Sequence, residues 1–269
     1  MLEFLQYTFM QRAFIAGILI AVLCAVIGVF LVLRRLALIG DGLAHISFGG
    51  IASGLFFNVY PLLSALVFSV LAAFGIQKLK QMKVYSDSAI AIFFSFGLAL
   101  GVVLVSMSRG FNVDLMSYLF GSILAVRETD ILLILSVGLA TLVTLVLFYK
   151  ELFYITFDEE SARASGVPVE RLNTLLLVLT AVAVVLSMQV VGILLVSSFI
   201  VIPASIALPL CRSFKQSILA SVAISVSSVV VGLVLAYQFD LAAGGAIVLV
   251  LVAAFAAMLG YRALTDDKQ

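Results

Sequence analysis

The sequence predicts an all-α, polytopic membrane protein of about nine transmembrane helices, within a range of eight to nine. Three observations carry that reading. Of the 269 residues, 64% are hydrophobic and only 11% charged, and the mean hydropathy of +1.30 lies far above that of soluble domains, whose apolar share is nearer half. The apolar residues recur in blocks of about 20, the length that crosses a hydrocarbon layer of roughly 30 Å. The blocks are apolar on every face, whereas barrel strands are shorter and alternate in and out. The net charge of +1 points to no nucleic acid.

The first span, 12–33, is too long for a signal-peptide core and ends in Arg34-Arg35 without a small-residue cleavage pattern, so it reads as retained. Next come 43–57, short and glycine-rich, then 59–77, 88–107 and 129–149. Spans 172–188 and 190–210 abut at Gln189, and 216–237 and 244–261 complete the set. With the N-terminus outside and the C-terminus cytoplasmic, Arg34, Arg35, Lys78, Lys80, Lys83, Lys150, Arg163, Arg171, Arg212, Lys215, Arg262 and Lys268 all fall inside. Arg12, Arg109 and Arg127 fall outside. That bias obeys the positive-inside rule and requires the short second span to cross. The chain therefore reads as a single transmembrane domain, 1–269. Cys24 and Cys211 are far apart and form no metal-ligand spacing.

Two stretches between spans exceed a tight turn. The outer one, 108–128, contains Leu115-Met116-Ser117-Tyr118-Leu119-Phe120-Gly121, apolar enough for a short interfacial or re-entrant helix. The inner one, at about 150–171, is the most hydrophilic part of the chain. Within it Asp158 can cap a helix, and Glu159 and Glu160 suit the positive end of the helix dipole. Ala162 and Arg163 come next. Gly166 suits the left-handed position past the end, and Pro168 forbids continuation. A helix of about two turns is too short to stand alone in water. It is either a solvated connector or a docking element for a cytoplasmic subunit.

The lone histidine, His45, comes four residues after Asp41 at the head of the second span. On a helix the two share a face, and ionisable groups in so apolar a setting are costly and usually functional. Carboxylate with imidazole suits zinc or manganese, although two ligands are too few for a closed tetrahedral site. Alternatively, Asp41 caps the span and His45 bonds a neighbouring carbonyl. Asp240, before the last span, either guides ions at the mouth or caps a helix. Pro203 frees a backbone carbonyl that Ser197, Ser198 and Ser205 can satisfy, as in broken spans that line a pathway. Gly50…Gly54 and Gly97…Gly101 have the small-xxx-small spacing of close helix packing. Asp114, Glu128 and Asp130 fall on the outer side, facing either a partner or solvent.

Four segments in order resemble the metal-ion permeases of bacterial ABC importers: Leu33 to His45, the loop from Asp158 to Pro168, Val190 to Val196 with Ile202-Pro203-Ala204, and Phe239 to Gly244. The resemblance covers nearly the whole chain. It departs at Phe48-Gly49-Gly50, where the family often has Pro-Gly, and at Ser122, where many members carry aspartate.

That resemblance implies ABC permease architecture in a bacterial cell membrane, with a short cytoplasmic coupling helix. It implies a second permease copy, cytoplasmic ABC ATPase subunits and an extracytoplasmic metal-binding protein as partners, besides membrane lipid. It also implies no permanent cofactor, with Zn2+ or Mn2+ passing by Asp41 and His45 and zinc slightly favoured. The coupling residues would be Asp158, Glu159, Glu160, Ala162, Arg163, Gly166 and Pro168. No GxxxxGK[ST] loop is present, so ATP hydrolysis is expected on a partner and not on this chain. An ion-coupled secondary carrier would show matched halves and mid-span carboxylates, which the sequence lacks. An intramembrane metalloenzyme would need more ligands, and HExxH is absent. A metal-chelate permease would not require Asp41 or His45.

Overall fold

The computed structural model describes residues 7–108, 114–121 and 128–266, so Arg109, Ser122, Arg127 and Lys268 lie outside it. Among the described residues the chain forms α1 (Thr8–Leu33), α2 (Ile39–Phe56), α3 (Pro61–Gln81), α4 (Ser86–Met107), α5 (Asp114–Phe120), α6 (Glu128–Leu147), α7 (Tyr149–Phe157), α8 (Glu159–Ala164), α9 (Val169–Val191), α10 (Val196–Leu210), α11 (Phe214–Phe239) and α12 (Ala243–Asp266). A 3-10 turn, Ile193–Leu195, joins α9 to α10. Among the described residues, eight helical stretches are long and apolar enough to cross a membrane. The ninth expected span is α2, 18 residues long, whose Asp41, His45 and glycines dilute its apolarity. Its length of about 27 Å still nearly matches the hydrocarbon layer.

The bundle is built around α1 and α9. Of their apolar windows 67% and 83% are buried, against 17% for α4 and 28% for α6. Helices apolar all round belong in such a centre, while α4 and α6 present their side chains outward. Pro61 opens α3 at a position where its missing N–H costs nothing, behind an extended Tyr60.

Spans six and seven do not part at Gln189, which is buried inside α9. The break is three residues later, at Gly192, whose φ of 85° and ψ of 153° only glycine adopts readily. A β-carbon there would also fall 2.4 Å from the Phe120 carbonyl carbon. The end of α5 is thus packed directly on the α9–α10 break.

The stretch at 150–171 is more ordered than its hydrophilicity suggests. The Phe148 N–H bonds the Thr144 carbonyl, and the Leu152 N–H bonds that of Phe148. The fifth span therefore runs on through Phe148 into α7, which buries Leu152 and Ile155. The expected two-turn helix is α8, and the expected short helix of the 108–128 stretch is α5.

The small-residue segments serve packing within the chain. A β-carbon at Gly50 would meet the Ala65 Cα at 2.6 Å, and one at Gly54 the Pro61 Cα at 2.8 Å. Helix α2 thereby lies almost backbone to backbone against α3.

Candidate functional site

Leu38 is the residue preceding α2, and no side-chain bond caps it. Asp41 therefore stands inside the first turn instead of at the cap, where its negative charge suits the dipole. Asp41 and His45 are both half-buried, one helical turn apart, in a helix whose intervening residues Gly42, Leu43 and Ala44 are buried. The His45 ring lies 4.1 Å from that of Phe94 on α4, tilted by 53°.

Contacts with α1 give the depth of this pair. Gly17 packs on Val190 and Val229, and Gly28 on Ile200, so α1 and α10 run side by side in the same direction. Gly40 meets Ser197, one turn before Ile200. At 1.5 Å per residue, Asp41 lies about 12 Å, and His45 about 18 Å, from the Leu33 end of α1, a helix about 39 Å long. The pair is inside the bundle, His45 near its mid-depth.

Of the other pathway candidates, the structure brings Ser197 to the start of α2. Ser197 and Ser198, both half-buried, lie in the first turn of α10, beyond the Gly192 break. Pro203 is buried further along α10. Asp240 is not part of this group. It is exposed, ends α11 in the left-handed conformation (φ 53°), and donates its N–H to the Ala236 carbonyl. It therefore closes the preceding helix. Tyr237 on the same turn approaches Tyr7 at the start of α1, with ring centroids 6.4 Å apart, which puts Asp240 roughly 25 Å along the bundle from Asp41.

Helix α8 is capped as its sequence requires. Asp158 accepts from the Ser161 N–H at 2.9 Å and the Ser161 hydroxyl at 2.5 Å. Those bonds hold its carboxyl below the usual carboxylate range. At the other end Gly166 has φ 82°, its N–H bonds the Arg163 carbonyl, and the Val167 N–H bonds that of Ala162. This pattern is the Schellman motif. Ala162 is buried, whereas Glu160, Arg163, Gly166 and Pro168 are exposed. Arg163 pairs with Glu170 at 2.8 Å and with Glu159 at 3.6 Å.

Three contacts have no counterpart in the sequence reading. Arg34, there only a topology charge, donates to Glu159 at 2.9 Å, and its side chain is 9% exposed. Phe94 carries no signal beyond apolarity. Asp130 is 3% exposed and accepts the Tyr60 hydroxyl. It is a buried strut between α3 and α6, not a solvated loop residue.

Among the described residues, eight long apolar helical stretches pack with a shorter, more polar second helix, and a short capped helix lies at the end bearing Arg34. That arrangement is the bundle of a polytopic membrane protein. Residues 6–262 match the ABC 3 transport family, and the chain belongs to it. It is 36% identical over 255 residues to the manganese transport system membrane protein MntC of Halalkalibacterium halodurans, covering 94% of this chain and 87% of that protein. It is 34% identical over 238 residues to the high-affinity zinc uptake system membrane protein ZnuB of Haemophilus influenzae, covering 88% and 91%. Among solved structures, PsaBC from Streptococcus pneumoniae in complex with Fab superposes with a TM-score of 0.85 at 35% identity, covering 95% of this chain and 94% of that one.

Proposed function

We propose that two copies of this chain form the membrane pathway of an ATP-driven importer of divalent transition-metal ions, zinc or manganese. The observation that carries it is the Asp41–His45 pair, half-buried one turn apart on α2 within the helix bundle. A carboxylate oxygen and an imidazole nitrogen attract a borderline metal ion. Among the described residues no three His, Cys, Asp or Glu side chains converge. Each copy thus offers a partial ligand set, which holds an ion briefly and lets it go. Four ligands around a shared axis would form the relay, with Ser197 a candidate neighbour on the path. Relatives named for manganese and for zinc support both ions.

Helix α8 would dock on a separate ATPase subunit, and an extracytoplasmic binding protein would deliver the ion. The end bearing Arg34 and α8 then faces the cytoplasm, in keeping with the positive-inside bias.

Uptake of radioactive manganese and zinc by vesicles containing this chain, its ATPase and a metal-loaded binding protein tests the reading. Asp41→Ala with His45→Ala should lower uptake at least ~100-fold while the complex still assembles, since both ligand types are removed. Unimpaired uptake of free ion would sink the relay. Uptake that tracks a proton gradient without ATP would favour the secondary carrier.

A further inference from the structure

An ion pair joins α8 to the end of α1, just ahead of the turn that leads into α2. Arg34 closes α1, and Glu159 is the first residue of α8, 125 positions later. The 2.9 Å bond has its Arg34 side 9% exposed and its Glu159 side 42% exposed, so it is partly withdrawn from water, where such a bond holds its geometry best. Lys80 of α3 stands close enough to repel Arg34 and attract Glu159. The bonded partner from the membrane bundle is Arg34, with the Lys80 charge adding to the positive field around Glu159.

The hairpin between Arg34 and α2 is tied by four backbone bonds. The Arg34 N–H bonds the Phe30 carbonyl, that of Arg35 bonds Val32, that of Leu36 bonds Leu31 at 2.8 Å, and that of Ile39 bonds Leu36. Arg35 turns the chain in the left-handed conformation, φ 56°. Asp41 comes two residues after Ile39, in the first turn of α2. A pull on the Arg34 guanidinium therefore reaches Asp41 through a tightly bonded turn.

We infer that the Arg34–Glu159 contact is the link through which displacement of α8 moves α2, and with it Asp41 and His45. The inference rests on α8 being the ATPase-docking element. Arg34 is thus a positioning residue: it touches no ion and acts through the placement of α2. The competing route runs along the chain, from α8 into the central helix α9, and is braced by the Arg163–Glu170 pair. Arg34 variants leave that route intact, which makes the two separable.

The test measures manganese transported per ATP hydrolysed by the reconstituted complex of this chain, its ATPase and its binding protein. The variants are Arg34→Ala, Glu159→Ala and the charge swap Arg34→Glu with Glu159→Arg. Each single variant should lower the metal-to-ATP ratio at least fivefold, Arg34→Ala with ATPase activity within twofold because Arg34 lies outside α8, and the swap should restore at least half of the ratio. A purely structural role would lower uptake and hydrolysis together, and that result overturns the link. An unchanged ratio in the single variants assigns the motion to α9 and overturns it too. If the alanine variants fail to insert, Arg34→Lys and Glu159→Gln take their place, with an intermediate ratio expected and an unchanged one again decisive against. A wild-type complex that hydrolyses ATP without moving manganese or zinc overturns the transport reading itself, and the inference with it.

Discussion

Gly97, midway along α4, receives the backbone of His45: a β-carbon there would fall 2.5 Å from the His45 carbonyl oxygen and 2.5 Å from the Ile46 Cα. No rotamer relieves a clash with main chain, so the two helices would have to separate just where the imidazole is placed. Gly97→Leu should destabilise the protein by about 1–3 kcal/mol or more through overpacking, seen as a lower thermal midpoint, and should depress metal uptake beyond what stability explains. Gly245→Ala is the control. Nothing lies within 4 Å of a β-carbon there, so both midpoint and uptake should stay near wild type. Equal effects of the two substitutions would show that the α2–α4 approach does not matter.

The same contact shows what the sequence can and cannot reveal. Apolar block length makes the spans legible, since a membrane helix must satisfy its backbone within itself. Local chemistry makes α8 legible, because Asp158 and Gly166 act on residues three or four positions away. The Asp41–His45 pair is legible for the same reason, as both lie on one helix face. What stays hidden depends on residues distant in the chain. Arg34 and Glu159 are 125 positions apart, and nothing local distinguishes a bonded arginine from a loop charge that sets orientation. Asp130 looks like a solvated acid because its partner, Tyr60, lies 70 positions earlier. Helix α7 is masked by its neighbours, for its apolar residues Leu152, Phe153 and Ile155 open a loop whose following residues, Asp158 to Arg163, are charged or small. Gly192 is overshadowed by Gln189, the more conspicuous polar residue.

His45 supplies the nitrogen donor of the pair, so its replacement should alter ion choice. His45→Asn keeps a side chain of similar length and offers an amide oxygen instead. Imidazole favours zinc while oxygen donors suit manganese, so zinc uptake should fall more than manganese uptake, with the ratio moving about tenfold toward manganese. Competition between the two radioactive ions in reconstituted vesicles measures it. A uniform loss of both would mean that His45 shapes the pathway without contacting the ion.

The Tyr60–Asp130 bond ties the start of α3 to that of α6. Burial and the adjacent carboxylate push the Tyr60 phenol above its ordinary range, so the hydroxyl remains a donor through neutral and moderately alkaline pH. Tyr60→Phe removes a donor from a buried acid and should cost about 1–3 kcal/mol. Chemical denaturation in detergent reads the loss. If Tyr60→Phe matched the wild type, water or another group would be meeting the carboxylate equally well.

The Asp158 cap should respond to pH with a definite sign, set by the direction of its shift. The Ser161 bonds favour the charged carboxylate and hold its value in the folded protein below the unfolded one. The cap's contribution is therefore fully present above the ordinary carboxylate range, and is lost as pH falls through the depressed folded value. Near neutral pH, Asp158→Ala should raise hydrogen exchange at the Ser161 amide, which donates to the lost carboxylate. Exchange at Ala162 should rise as well, because its N–H bonds the Asp158 carbonyl only while the first turn is formed. Asp158→Asn should retain part of the protection, since asparagine also caps helices. The wild-type advantage over Asp158→Ala should shrink as pH is lowered, once the rates are corrected for intrinsic pH dependence. An advantage that stayed constant with pH would show that the acceptor geometry of the side chain, and not its charge, holds the first turn of α8.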